Sequence, residues 1–459
     1  MWDINKYKRI YFIGIGGIGM SALAKYFKAK GMDVSGYDRT PSFVTEQLKA
    51  LGIPVFFDDD INLLPENIDL VIYTPAIPKT HKQFNYLKEN NALIKKRAEV
   101  LGFITKGVFT VAVAGTHGKT TTSSMISHIL KSAKIDFMAF MGGISKNYNT
   151  NFLIGQKNDI VVAEADEFDR SFLNIYPDIA VISAMDADHL DIYGTHEKMI
   201  ESYNQFISQI KDKGSLVIKY SSLQYIKNQS IKKFSFSLNL DSDYKTENIR
   251  ITNGSYIFNI REPENELIEN IALNIGGRHN IENAVAAVAT CKLIGISNNE
   301  IRKALATYTG VMRRFDVRIK HDKLIYIDDY AHHPEELKML ILSVKELYPT
   351  KKITGVFQPH LYTRTRDFAE GFVSSLELLD DVILLEIYPA REAPIEGINS
   401  QMLLDRISNK NKMLCSKEKL IEELLKRKTD IILTIGAGDI DALVEPIEMT
   451  FKNILKFME

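Results

Sequence analysis

The sequence predicts an α/β protein of several domains with largely parallel sheets. Three observations carry this. Short apolar runs alternate with helix-period patterns along nearly the whole chain. Glycine turns follow apolar runs and open helices, as in "KRIYFIGIGGIGMSALAKYFKAKGMDVSGYD" (8–38) and "TVAVAGTHGKTTTSSM" (110–125). The length, 459 residues, suits two to four domains, with three the central expectation.

The first series opens with strand, glycine turn, helix and strand over 8–38, and adds a strand at "DLVIYTPAIP" (69–78). A second starts at "GVFTVAVAG" (107–115) and continues through "NDIVVAEADE" (158–167) and "DIAVISAMDADH" (178–189). Residues 214–275 change character: "IRITNGSYIFNI" (249–260) alternates apolar and polar residues around Asn253-Gly254, the signal of a hairpin and a small antiparallel patch. "GRHNIENAVAAVATCKLIGI" (277–296) is a glycine-led helix whose alanines suit close packing. The third series runs from "KLIYIDDYAHHPEELKMLI" (323–341) through "KITGVFQPH" (352–360) and "DDVILLEIYP" (380–389) to "DIILTIGAGDI" (430–440). Boundaries are expected near 102–107 and 309–315.

Composition excludes more than it identifies. Hydrophobic residues make up 45% and charged residues 25%, and the formal net charge is −1. No global electrostatic case exists for nucleic acid or an anionic membrane, so an anionic substrate must be held by local groups. Cys291 and Cys415 lie far apart without metal-type spacing, which suits a reducing compartment. With no basic-apolar-small leader at its start and no apolar run of spanning length, the chain reads as cytoplasmic.

Three stretches carry chemistry. In "GIGGIG" (14–19), Gly14, Gly16 and Gly19 fit G-x-G-x-x-G, and Asp38 ends the next strand. Glycines let a backbone approach a pyrophosphate, the helix N-terminus supplies N–H groups, and the carboxylate takes ribose hydroxyls. A nicotinamide dinucleotide and a nucleotide sugar both fit, and so does a bare packing turn.

The second stretch is the turn before Lys119-Thr120. A Walker-type G-x-x-x-x-G-K-[ST] needs glycine at position 113, which is Val113; the glycine sits at Gly115 instead. Successive N–H groups of the turn still make an anion nest at a helix N-terminus. Lys119 suits β- and γ-phosphate oxygens, and the Thr120 hydroxyl suits Mg²⁺. Carboxylates for such an ion follow at the next two strand ends: Glu164, Asp166 and Glu167, then Asp188 with His189. Each cluster alone is compatible with solvated loops or helix caps.

The third stretch pairs "DDYAHHPEE" (328–336) with "QPHLYTRTRDF" (358–368). Arg364 and Arg366 suit a carboxylate or a phosphate, against a plainer reading of surface ion pairs and a histidine capping the Pro334 helix.

The two-residue gap in "GTHGKTTT" resembles the ATP loop of the Mur ligase family. "GIGGIGMSALA", "EADE", "DADHLDIYG", "GRHNIENA", "MRRFD", "DDYAHHP" and "QPHLYTRTRDF" follow that family's pattern in order over roughly 8–440. The resemblance implies three domains: a Rossmann-like UDP-sugar domain (1–105), a central P-loop-type ATPase domain with a small antiparallel patch (106–312), and a Rossmann-like C-terminal amino-acid domain (313–459). It implies ATP-dependent joining of L-alanine to the lactyl carboxylate of UDP-N-acetylmuramate through an acyl phosphate, in a monomer or homodimer, with Mg²⁺.

By the same resemblance, Gly14, Gly16, Gly17 and Gly19 lie beneath the pyrophosphate and Asp38 near the ribose. Ala114, Gly115, Thr116, His117, Gly118, Lys119, Thr120 and Thr121 cradle the ATP phosphates, with Asn280 and Asn283 towards adenine. Thr120, Glu164 and His189 are the expected metal ligands. Tyr330, His332 and Arg364 face L-alanine, and Lys119, His332 and Arg364 are the expected catalytic groups. Leu361 stands where many relatives have arginine, and Phe168 where a small residue is usual. A nicotinamide-dependent oxidoreductase would leave the 115–122 loop and the acidic clusters unexplained. A nucleotide switch would hydrolyse ATP without the other substrates.

Overall fold

The structure, a computed structural model, describes residues 6–187, 190–252, 254–390 and 392–458. Its three sheets are mostly parallel, as the alternating pattern predicts. The first has five strands in the order Val55–Phe56, Asp33–Tyr37, Arg9–Ile13, Leu70–Tyr73, Ile94–Lys96, with every pair parallel. Its central strand, RIYFI, is apolar on both faces because helices cover both sides of a parallel sheet.

The second sheet has ten strands. Phe109–Ala114 lies between Ile179–Ile182 and Ile160–Glu164, both parallel to it, so the strands that end at the phosphate turn and at the two acidic clusters are neighbours. On one side the sheet ends in Phe137–Ser145 and Thr150–Leu153, an antiparallel pair that the sequence patterning does not announce. On the other side come Ser215–Lys219, Lys232–Ser237, Tyr244–Thr252, Ser255–Arg261 and Leu267–Leu273. Tyr244–Thr252 and Ser255–Arg261 are neighbours two residues apart in sequence, as a hairpin requires; of the expected turn pair, Asn253 lies outside the described residues.

The third sheet runs Asp316–His321, Leu324–Asp329, Ile431–Ile435, Ile353–Phe357, Asp381–Leu384, Lys412–Leu414. Only its first pair is antiparallel.

The chain forms two compact units. One comprises the chain up to Asn248 with Phe258–Ile271 and Glu282–Tyr308; the other comprises Ile249–Ile257, Ala272–Ile281 and the chain from Thr309. Within the first unit a single apolar core runs from the helix Ile18–Ala29 to the ten-stranded sheet. Tyr26 bridges it, with ring centroids 5.8 Å from Phe140 and 6.2 Å from Phe152. Beside this seam sits a buried cation. Lys25 donates to Gln47, Thr150 and Asn151, all neutral oxygens, and burial lowers its pKa to about 8.

The helix Lys119–Ser132 carries "TTTSS" in its first half, a poor helix sequence by propensity. The hydroxyls are absorbed locally: Ser127 donates to the Ser123 carbonyl and Ser123 to that of Thr120. The same helix is pinned by His128, which bonds Tyr148 through Nδ1 and reaches the Ala304 carbonyl and Thr307 hydroxyl through Nε2.

Candidate active site

The phosphate turn is built by the close approach of two other segments. Gly115 has φ +134° and Gly118 has φ +82°. A side chain at Gly115 would strike Ser183, and one at Gly118 would strike Asn283, so neither position tolerates a Cβ. The segment after Ile179–Ile182 clamps the turn. Thr116 donates its N–H to the Ala184 carbonyl at 3.1 Å, the Asp186 N–H donates to the Thr116 hydroxyl at 3.2 Å, and Ser183 Oγ sits against the His117 carbonyl. Asn283 accepts from Thr122 at 3.3 Å, whereas Asn280 donates instead to the Gly276 carbonyl at 2.6 Å. Ala114 and Thr121 are buried and His117 is exposed at the tip of the turn.

Lys119 opens the helix that follows. Its ammonium donates to the Gly115 carbonyl and to Glu167 Oε1, each at 2.7 Å, and Glu167 has no exposed surface. Burial works against the charge of Lys119. The carboxylates of Glu167, Glu164 and Asp166 outweigh it and hold the lysine pKa above its usual value. Burial pushes the Glu164 and Glu167 carboxyls up, with Lys119 pulling both part of the way back. Glu164 also bonds the Thr120 hydroxyl and accepts the Gly142 N–H at 3.0 Å.

The glycine turn at 14–19 lies in the same unit. The N–H groups of Gly14 and Ile15 both donate to the Tyr37 carbonyl, and Asp38 Oδ2 accepts the Gly16 N–H at 2.7 Å. Asp38, expected near a ribose, is thus bonded to the turn it follows. Gly17 precedes the helix and Gly19 lies in its first turn, packed against the Arg97 guanidinium.

What the sequence presents as two sites meets in one cavity. Gly17, Gly19, Arg97, Gly142, Glu164 and Asp166 line a space of about 270 Å³. Phe168, which stands where a small residue is usual in the family pattern, lines it as well. Arg97 and Gly142 carry no motif that marks them in the sequence. Gly142 lies on the unannounced hairpin, and Arg97 directly follows the short strand Ile94–Lys96, whose two lysines give it no apolar signal.

Of the expected metal ligands, the structure brings Thr120 and Glu164 together. His189, with Asp188, lies outside the described residues. Among the described residues no group of three His, Cys, Asp or Glu side chains is arranged to hold a metal. The donors that are present, a threonine hydroxyl and carboxylate oxygens, are the hard oxygens Mg²⁺ prefers.

In the second unit the strand Leu324–Asp329 ends in two aspartates, Asp328 fully buried and Asp329 partly so. Asp329 accepts from the Phe315 and Ala331 N–H groups at 2.6 and 2.8 Å, and burial raises its pKa to about 6. Tyr330 lies beneath two cations, its ring centroid 5.3 Å from the Arg313 guanidinium carbon and 5.0 Å from that of Arg314. His332 Nδ1 sits 3.0 Å from the Tyr330 carbonyl and 3.4 Å from Glu336. Burial lowers the His332 pKa; Glu336 opposes this, and Arg364 and Arg314 reinforce it. The His332 ring centroid is 6.0 Å from that of His360, whose Nδ1 accepts from Arg364 at 3.2 Å, and His360 stacks on Tyr388.

Tyr330, His332 and Arg364 are therefore gathered around His360, the histidine of "QPH", to which the sequence alone assigns no role. Arg366 does not join them, since it pairs with exposed Asp367 at 2.7 Å. His333 occupies the N-cap position of the helix Pro334–Leu347, where its N–H donates to Glu336 at 3.2 Å.

Three family models match the chain in order. Residues 9–108 match the Mur ligase family catalytic domain, 113–291 the Mur ligase middle domain, and 313–438 the Mur ligase glutamate ligase domain. The chain is 50% identical to a UDP-N-acetylmuramate–L-alanine ligase of Flavobacterium johnsoniae, covering 98% of the chain and 100% of the relative. It is 48% identical to that of Parabacteroides distasonis, over 99% and 100%. The crystal structure of UDP-N-acetylmuramate–alanine ligase from Thermotoga maritima superposes with a TM-score of 0.84 at 26% identity, covering 97% of this chain and 99% of that one. A murein peptide ligase from Psychrobacter arcticus shares the fold, with a TM-score of 0.71 at 20% identity, over 96% and 98%. With all three family models in order and near-half identity over almost its entire length, the chain belongs to the Mur ligase family.

Proposed function

We propose that the chain is an ATP-dependent ligase that joins L-alanine to the lactyl carboxylate of UDP-N-acetylmuramate. The products are UDP-N-acetylmuramoyl-L-alanine, ADP and phosphate, and the reaction belongs to peptidoglycan precursor synthesis. The observation that carries this reading is the near-half identity, over almost the whole chain, to relatives named for that reaction.

The residues suit the chemistry. A carboxylate is unreactive towards amines and must first be activated by attack on the γ-phosphate of ATP. The Gly115–Thr121 turn cradles the phosphates with its N–H groups, and Lys119 neutralises charge on the transferring group. Thr120 and Glu164 would hold Mg²⁺, which supplies further charge neutralisation on the phosphates when bound. The glycine turn at 14–19 takes the UDP-sugar, and the cavity it shares with Glu164 leads that substrate towards the phosphate turn. The alanine amine then attacks the acyl phosphate, and phosphate leaves the resulting tetrahedral centre. Arg364 holds the alanine carboxylate, while Tyr330 and His332 orient the amino acid. Burial keeps His332 neutral near pH 7, so one ring nitrogen can accept a proton.

The three segments 1–105, 106–312 and 313–459 serve as sugar, ATP and amino-acid domains. The enzyme works in the cytoplasm as a monomer or homodimer. Among the described residues no helix is long and apolar enough to cross a membrane.

Phosphate release from Mg·ATP, with each substrate omitted in turn, tests the reading. Release that needs both UDP-N-acetylmuramate and L-alanine supports it. Release with a preformed tripeptide but not with L-alanine would place the chain with the peptide-adding members of the family. Release that needs neither substrate would overturn the ligase reading.

A further inference from the structure

The cavity between the glycine turn and Glu164 has an unbalanced wall. Its lining includes two carboxylates, Glu164 and Asp166, and one cation, Arg97. Under the proposed function the molecule that enters is itself anionic twice over, through its pyrophosphate and its lactyl carboxylate. Lys119, which also feels the charge of these carboxylates, is engaged with Glu167 and the Gly115 carbonyl.

Arg97 is placed and largely uncommitted. It is the first residue of the helix Arg97–Thr105, and its side chain lies against Gly19, where any Cβ would meet Nη1 at 2.9 Å and Cδ at 3.1 Å. That contact places the guanidinium against the first turn of the helix Ile18–Ala29, and a helix N-terminus favours anions. Among the described residues its hydrogen-bond partner is Asp166, through Nη2 at 3.5 Å, the outer limit for such a bond. A guanidinium carries five donors in a planar fork, so most of its capacity remains for a ligand. The side chain is one-fifth exposed, 19%, which leaves it shielded yet reachable from the cavity.

We propose, resting on the ligase reading above, that Arg97 is a substrate-binding residue that grips an anionic oxygen pair of the UDP-sugar and exchanges its long contact with Asp166 for that grip. The absence of a side chain at Gly19 is what admits the guanidinium. The anionic oxygens come from either the pyrophosphate or the lactyl carboxylate, which share the chemistry an arginine fork recognises.

The test is calorimetric titration of the full chain with UDP-N-acetylmuramate and, separately, with UDP-N-acetylglucosamine, which lacks the lactyl carboxylate. Wild type is compared with Arg97→Met and Arg97→Lys, and ATP binding and Tm are measured for each. Arg97→Met is expected to raise the Kd for UDP-N-acetylmuramate by about tenfold or more, the effect of losing a charged hydrogen bond, with ATP affinity unchanged. Arg97→Lys should restore part of the loss if Arg97→Met lowers Tm, which separates binding from packing. A matching loss for both nucleotides assigns the grip to the pyrophosphate; loss for UDP-N-acetylmuramate alone assigns it to the carboxylate. Unchanged affinity for both nucleotides in Arg97→Met overturns the Arg97 proposal and leaves the ligase reading standing. A wild-type chain that binds neither nucleotide overturns the ligase reading instead.

Discussion

The ammonium of Lys119 lies 2.7 Å from Oε1 of Glu167, and this pair joins the first residue of the phosphate-turn helix to a carboxylate with no exposed surface. A buried pair of this kind is costly to break from one side, because the remaining charge has no water to turn to. Lys119→Ala is therefore expected to lower kcat/KM by about 10²–10⁴ and also to destabilise the fold by about 3–5 kcal/mol. Adding Glu167→Gln should recover most of the lost stability and none of the lost turnover. Thermal melts and phosphate-release kinetics on the single and double variants check this, and joint recovery of both quantities would contradict the role given to Lys119.

Gly142 gives a second, sharper test. Its N–H donates to Glu164, and a Cβ there would occupy the carboxyl's own position. Gly142→Ala must displace Glu164, at a stability cost of about 1–3 kcal/mol typical of overpacking. If Glu164 is a metal ligand, the Mg²⁺ concentration for half-maximal phosphate release should rise by about tenfold or more. An unchanged Mg²⁺ dependence in a folded variant would remove Glu164 from the metal site.

Asp329 predicts a pH effect on stability. Its folded pKa of about 6 stands above its ordinary value of 3.8. Between those two values the folded state holds more proton than the unfolded state, so stability from this group falls as pH rises from about 4 to 6 and stays lost above. Asp329→Asn removes the titration and keeps an acceptor for only one of the Phe315 and Ala331 N–H groups, which bond separate oxygens of Asp329, so it adds a stability cost that does not vary with pH. The difference in unfolding free energy between variant and wild type should therefore grow in the variant's favour across that window, by about 1–3 kcal/mol. Urea unfolding at pH 4, 5, 6 and 7 measures it, and a flat difference would show that Asp329 titrates normally.

The His360 cluster separates the substrates. Arg364→Ala is expected to raise the KM for L-alanine by about 10–100-fold, the value of a lost charge-assisted bond. The KM values for ATP and UDP-N-acetylmuramate should move within about twofold. His360→Ala, which removes the acceptor holding Arg364, should act in the same direction with a smaller effect. Equal losses in all three KM values would detach this cluster from the amino acid.

Much of this arrangement is legible in the amino-acid sequence. Strand ends, glycine turns and acidic clusters are local signals, so the turn at Gly115–Lys119 and the cluster Glu164, Asp166 and Glu167 stand out, and the family resemblance singles out Glu164 within that cluster. The relations between them are not local. Nothing near Gly142 in the sequence says that it faces Glu164, because the strand Phe137–Ser145 reaches the acidic cluster by lying beside Ile160–Glu164 in the sheet. Arg97 is hidden for the same reason, since the Gly19 contact that fixes it spans most of the first sheet's connectivity. His360 and Arg366 show the converse. They lie in one short stretch with similar chemistry, yet only His360 joins the cluster, because the short helix Tyr362–Asp367 directs Arg366 to Asp367. The metal reading is half legible: Thr120 and Glu164 are together, and His189 lies outside the described residues.

The second compact unit is not a single stretch of chain, and that bears on how the protein can be taken apart. Glu346 accepts from Tyr256 at 3.0 Å and from Arg278 at 2.8 Å, and the ring of Phe315 lies over Gly276. Tyr256, Gly276 and Arg278 all come from before residue 309, in segments separated by a return to the first unit. A recombinant fragment that begins at residue 313 would leave Glu346 without both donors and Phe315 without its floor. No one cleavage point, by protease or by cloning, yields this unit whole. Dissecting the protein into working pieces therefore calls for circular permutation or for co-expression of overlapping fragments, and homologous swaps of the C-terminal third must carry residues 249–257 and 272–281 with them.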